Sequence, residues 1–203
     1  MTELDRALAD IVEIRARLAQ DQTFLGLGPA ALAATGLLAL GVALTQTLAG
    51  PAALDTWPYF AAWIGLAVVA AGLLGAEMAR RGRAQHGRMA DQMILAAMFN
   101  FVPAAVAGTA LFAVFLRAAP ELVWLLPGLW LVLVSLGVFA AARSLPRGMA
   151  IAGGWYLLSG IAVLLISAET RTLSPWSMGL PFGLGQLGVA ALVHRAAGAQ
   201  NAR

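Results

Sequence analysis

Few residues in this chain have the chemistry a reaction needs. His86 and His194 are the only histidines and the chain has no cysteine, so a cysteine-held zinc or iron–sulfur site, a disulfide framework and a thiol nucleophile are all excluded. Both histidines fall at the edges of apolar runs, where a bis-histidine haem would lack two facing imidazoles at one depth. No carboxylate pair, serine with a nearby base, phosphate-cradling glycine loop or metalloprotease motif occurs, and an enzyme needs some positioned acid, base, nucleophile or metal. The expectation is a protein that is not an enzyme, with no cofactor and no catalytic or metal-binding residues.

The other polar residues of interest lie inside apolar runs and are neutral: Thr35, Asn100, Ser135, Ser159 and Gln186. Polar groups at membrane depth are expensive, so these form the candidate midplane site, above all Asn100, Gln186, Ser159 and Thr35. At 1.5 Å of rise per residue, Asn100 lies roughly 12 Å from one end of its run and Gln186 roughly 15 Å from the opposite end of its own, so the two could meet near mid-depth. Asn100 precedes Pro103, and Gln186 follows Gly179-Leu180-Pro181-Phe182-Gly183-Leu184-Gly185. A broken helix lining a small cavity has this pattern. So does a close-packed helix pair with small residues four apart and amides bonding between helices. Packing is the favoured reading.

The elements that must carry these residues follow from composition. Of 203 residues, 61% are hydrophobic and 11% charged, against roughly 45–50% and about 25% in soluble domains. This excludes a soluble globule and a disordered chain alike. A spanning helix needs about 20 apolar residues, and six stretches qualify: 24–49, 58–79, 92–116, 122–142, 149–168 and 176–196. A β-barrel would need alternating segments of about 10 residues, and these runs are two-sided and longer. The predicted fold is all-α, a bundle of six transmembrane helices (24–196) preceded by a cytoplasmic amphipathic helix (1–23) and followed by a short tail (197–203). The first 22 residues hold five acids and no apolar core, so they are not read as a cleavable signal.

All thirteen basic side chains are arginine. Eleven fall in the amino-terminal segment, the second and fourth connections and the carboxy-terminal end, whereas only Arg117 and Arg171 fall in the odd-numbered connections. Arginine flanking spans stays in the cytoplasm, which predicts that both termini are cytoplasmic and that the basic isoelectric point reflects topology rather than nucleic-acid binding. Trp57, Trp124 and Trp176 sit near span ends on the opposite side, as an aromatic belt requires.

Leu4, Leu8, Ile11, Ile14 and Leu18 recur at helical spacing in the amino-terminal segment. Five acids against three arginines give that helix no positive excess for anionic lipid, so docking on the protein's own face or on a protein partner is favoured. Arg15, Arg80, Arg81, Arg83 and Arg88 are the candidate contacts for anionic lipid or an acidic partner. Snorkelling to lipid is the plainer reading of Arg15, and topogenic anchoring that of the other four. Glu77, three and four residues before Arg80 and Arg81, is expected to form a local ion pair.

Several segments carry a family resemblance: Ile14-Arg15 running into Thr23-Phe24-Leu25-Gly26-Leu27-Gly28-Pro29, then Leu129-Trp130 with Ser135-Leu136-Gly137, and 176–186 from Trp176 to Gln186. Over nearly its whole length the chain resembles a family of small six-span bacterial inner-membrane proteins of unknown function. The resemblance implies a gene encoded beside a small winged-helix transcription regulator, hence a condition-responsive membrane module. It carries over no active residues. The expected function is a non-enzymatic accessory or sensory module; the alternative is a small-solute transporter or channel using the midplane polar groups.

Overall fold

The computed structural model describes residues 28–85, 99, 101–141 and 148–201, and among them all regular structure is helical. Helix α1 (Pro29–Ala49) starts from the extended Gly28, with proline in its first turn where a missing N–H does no harm. It stops at Gly50, whose φ of 80° ends the helix. A 3-10 turn (Pro51–Leu54) leads into α2 (Thr56–Gln85). Helix α3 covers Val102–Ala118, and a second 3-10 turn (Pro120–Leu125) leads into α4 (Leu126–Ala141). Helices α5 (Met149–Thr170) and α6 (Trp176–Asn201) complete the order.

Five of these segments are long and apolar enough to cross a membrane: Pro29–Ala49, Thr56–Arg80, Pro120–Ala141, Met149–Thr170 and Trp176–Arg195. The sixth apolar helix, α3, has 17 residues; the expected third span began at Gln92, and residues 86–98 lie outside the described set. Val68, Val106, Ile151, Leu158, Leu165 and Ile166 are each more than 60% exposed. That much bare apolar surface suits hydrocarbon and not water. The chain is a helical bundle of the multi-pass membrane type.

Small residues set the two closest helix contacts. Helices α1 and α6 run antiparallel, and a methyl group on Gly36 would lie 2.9 Å from the Gly183 carbonyl oxygen and 3.1 Å from the Gln186 Cβ. Further along, Gly179 abuts Ala43 and Gly183 abuts Leu40. Helices α4 and α5 approach likewise: a Cβ on Gly128 would stand 2.9 Å from the Gly160 oxygen, and one on Gly160 would stand 2.9 Å from the Gly128 oxygen. Close backbone approach of this kind replaces the hydrophobic drive that lipid removes.

Helix α3 rests on α4, where the Trp130 indole N–H donates to the Gly108 carbonyl at 3.1 Å. Helix α2 packs on α1 and meets α3 through aromatic rings at one end, with Phe60 5.0 Å from Phe112 and 5.4 Å from Trp130. That end carries the connections at 50–55, 119–125 and 171–175 and is called here the Trp57 end. The opposite end, where α1 begins and α2 and α6 finish, is the Gly28 end.

Candidate functional site

Several hydroxyl side chains bond to their own helix, Thr35 and Ser135 from buried positions and Thr45, Thr47 and Thr109 from exposed ones. Thr35, Thr45 and Ser135 donate to the carbonyl three residues back, at 2.8, 2.9 and 2.6 Å, and Thr47 and Thr109 to the carbonyl four back, at 2.7 and 2.8 Å. The most developed polar cluster lies near the Trp57 end. Gln46, 5% exposed on the last turns of α1, donates its amide to the Tyr59 carbonyl at 3.2 Å and accepts the Trp63 indole N–H at 3.1 Å. The Tyr59 hydroxyl in turn donates to the Ser174 carbonyl at 2.9 Å. One amide thus ties α1 to α2, and one hydroxyl ties α2 to the turn between α5 and α6. Reading polarity by mid-depth passes over Gln46, although a lone amide one turn from a span end is a visible signal.

At the Gly28 end a second constellation joins α1 and α2. Gly28 is buried, and any side chain there would collide with the Glu77 carboxylate and stem. Glu77 is gripped by Arg80 one turn on, whose Nε donates to Oε2 at 3.0 Å and whose Nη2 reaches Oε1 at 3.0 Å and Oε2 at 2.9 Å. The expected ion pair is therefore present with Arg80, and it also marks where α1 begins.

Of the candidate midplane residues, Thr35 is buried and bonds to its own helix, while Ser159 and Gln186 are half-buried. Gln186 lies against Gly36 on α1. Asn100 lies outside the described residues, but its neighbour Phe101 sits on Gly137, near the end of α4. Among the described residues, helix α3 packs on α4, whereas α6 packs chiefly on α1 and α5. Helix α6 runs unbroken through Pro181. Its neighbour α5 supplies an external donor there, the Trp155 indole N–H, 2.9 Å from the Pro181 carbonyl. The Tyr156 hydroxyl is buried beside Gly185 with no partner among the described residues.

Among the arginine candidates, Arg80 is 72% exposed at its side chain. Arg81 and Arg83 follow on the same helix, while Arg15, Arg88 and the amphipathic helix expected over residues 1–23 lie outside the described set. No group of three or more histidine or acidic residues that could hold a metal ion occurs among the described residues. Comparison with protein-family models, with curated proteins and with solved structures found no match.

Proposed function

We propose that the chain is a non-enzymatic accessory or sensory module of the bacterial inner membrane, with six spans and both termini in the cytoplasm. It contacts a protein partner through its amino-terminal helix and the arginine-rich stretch that follows α2. The observation that carries this reading is the junction of Gly28, Glu77 and Arg80, because it brings the exit of the amino-terminal segment and the start of the arginine stretch to one spot. The Gly28 end is the cytoplasmic one by the arginine rule: α2 finishes there through Arg80, Arg81 and Arg83, and α6 through Arg195. The bonding of buried Thr35, Ser135 and Gln46 within the bundle also favours a packed scaffold over a hydrated path. The likeness to a family encoded beside a winged-helix regulator agrees with a condition-responsive role.

The test is removal of residues 2–22. On this reading the shortened chain still inserts, as protease protection of its loops reports, but no longer holds its partner. Undiminished partner association after the deletion contradicts the proposal.

The rival reading is a small-solute transporter, favoured by one observation: Gln186 is half-buried at mid-depth and makes no side-chain hydrogen bond among the described residues. Under that reading, alanine at Asn100 or Gln186 removes flux while folded protein persists.

A further inference from the structure

The connections at the Trp57 end form an open cleft of about 380 Å³, lined by Pro51, Leu54, Asp55 and Thr56 on one side and by Thr172 and Leu173 on the other. That volume falls within the range of small-molecule sites, about 300–1,000 Å³. Leu54 and Leu173 pack against the buried cluster of Tyr59, Phe60 and Trp63, which gives the cleft an apolar backing. The polar ties at this end hold its two walls. The Tyr59 hydroxyl, bonded to the Ser174 carbonyl, joins the start of α2 to the turn that carries Thr172 and Leu173. Gln46 anchors the Tyr59 backbone to α1.

The polar groups of the lining are not consumed by the fold. Asp55 stands just before α2, and the Tyr59 N–H bonds to its backbone carbonyl at 3.0 Å. A carboxylate in that position ordinarily accepts the N–H of the second or third helical residue, but the third is Pro58, which has none. The side chains of Asp55, Thr56 and Thr172 make no hydrogen bond or ion pair among the described residues. Acid also outweighs arginine at this end, with Asp55, Glu121 and Glu169 against Arg117 and Arg171.

We propose that this cleft binds a primary ammonium group, carried by a free amine or by the headgroup of an aminophospholipid. Such a group has one positive charge and three N–H donors in a compact head. One carboxylate and two hydroxyl oxygens match it, and the leucines accept the first carbons of its chain. A quaternary ammonium meets the charge but offers no donor to the hydroxyls, and an alcohol brings no charge. The inference deepens the sensory side of the proposed function and rests on it for what the bound amine does, but not for the binding itself. The arginine rule places the cleft on the outer face, opposite the cytoplasmic end.

The test titrates n-butylammonium onto the full chain in phosphatidylcholine nanodiscs, read by saturation-transfer NMR. Saturable binding is expected with a Kd of about 1–10 mM, the strength of a few charge-assisted contacts at an open site. D55N, at an exposed residue with no bond to lose, weakens it about fivefold. Tetramethylammonium and n-butanol, compared on the parent chain, bind about fivefold or more weakly. Absence of saturation, parent affinity in D55N, or equal binding of either control overturns the proposal.

Repeating the titration with half the lipid replaced by phosphatidylethanolamine separates the two sources. Competition that weakens n-butylammonium binding in the parent assigns the site to the lipid headgroup, and unchanged affinity assigns it to a free amine. The assay contains no partner protein. Its failure therefore overturns this inference alone, whereas undiminished partner association after removal of residues 2–22 overturns the accessory reading alone.

Discussion

Removing Gln46 puts the polar packing of the bundle to a quantitative test. Gln46→Leu keeps the bulk of the side chain but removes two bonds between helices, one to the Tyr59 carbonyl and one from the Trp63 indole. Hydrogen bonds between membrane helices contribute about 0.6 kcal/mol on average and about 1.7 kcal/mol at most. The pair therefore accounts for about 1 kcal/mol. The indole N–H of Trp63, 2% exposed, is then stranded without an acceptor, which adds about 1–3 kcal/mol. The expected loss is about 2–4 kcal/mol in reversible unfolding from mixed micelles. A double-mutant cycle with Trp63→Phe isolates the indole bond from the change in ring volume. The coupling should be about 0.6 kcal/mol or more, because Gln46→Leu no longer strands a donor once the indole N–H is gone. Coupling indistinguishable from zero, with both single variants folded, would refute the arrangement of α1 against α2 described above.

Two further substitutions probe the backbone. Gly160→Ala pushes a methyl group towards the Gly128 oxygen, whereas Gly154→Ala on the same helix meets nothing within 4 Å; both gain similar helix propensity. The first should therefore be less stable than the second by about 1–3 kcal/mol in the same unfolding assay, and equal stability would contradict the close approach of α4 and α5. Arg171 ends α5 in the left-handed region at φ 51°. Arg171→Gly should raise stability by about 0.5–1 kcal/mol after allowing for the looser unfolded chain, and a loss would count against that backbone geometry.

Much of the fold was legible because hydrocarbon imposes a simple demand, about 20 apolar residues per crossing. Expected spans starting at Met149 and Trp176 coincide with the starts of α5 and α6, and the Gly50-Pro51 break falls where α1 ends. The fourth span begins differently: a 3-10 turn runs from Pro120 to Leu125 before the α-helix, with proline at the start of each segment's residue run or one place after it. Hydropathy is insensitive to such turns because Leu122, Val123, Trp124 and Leu125 are as apolar as the helix that follows. Helix neighbours were not legible in the sequence. Span lengths put Asn100 and Gln186 at similar depth, but depth does not say which helix lies beside which, and α3 settles on α4 through Trp130 and Gly108 instead of beside α6.

The candidate sites divide along the same line. The Glu77 to Arg80 pair is local, three residues apart on one helix, and sequence spacing sufficed to find it. Its second contact, with Gly28, joins residues 49 positions apart and appears only when α1 and α2 are laid antiparallel. Gln46 escaped for a related reason. An amide near a span end reads as an interfacial group until Trp63 and the Tyr59 carbonyl are seen to close around it.

The central claim, that the chain serves a partner and does not move a solute, is tested most directly by native mass spectrometry of the full-length protein released gently from its own membrane. The expected result is a stoichiometric protein partner that disappears when residues 2–22 are removed. A partner-free chain carrying one specific small molecule, lost on substitution of Gln186, would contradict it.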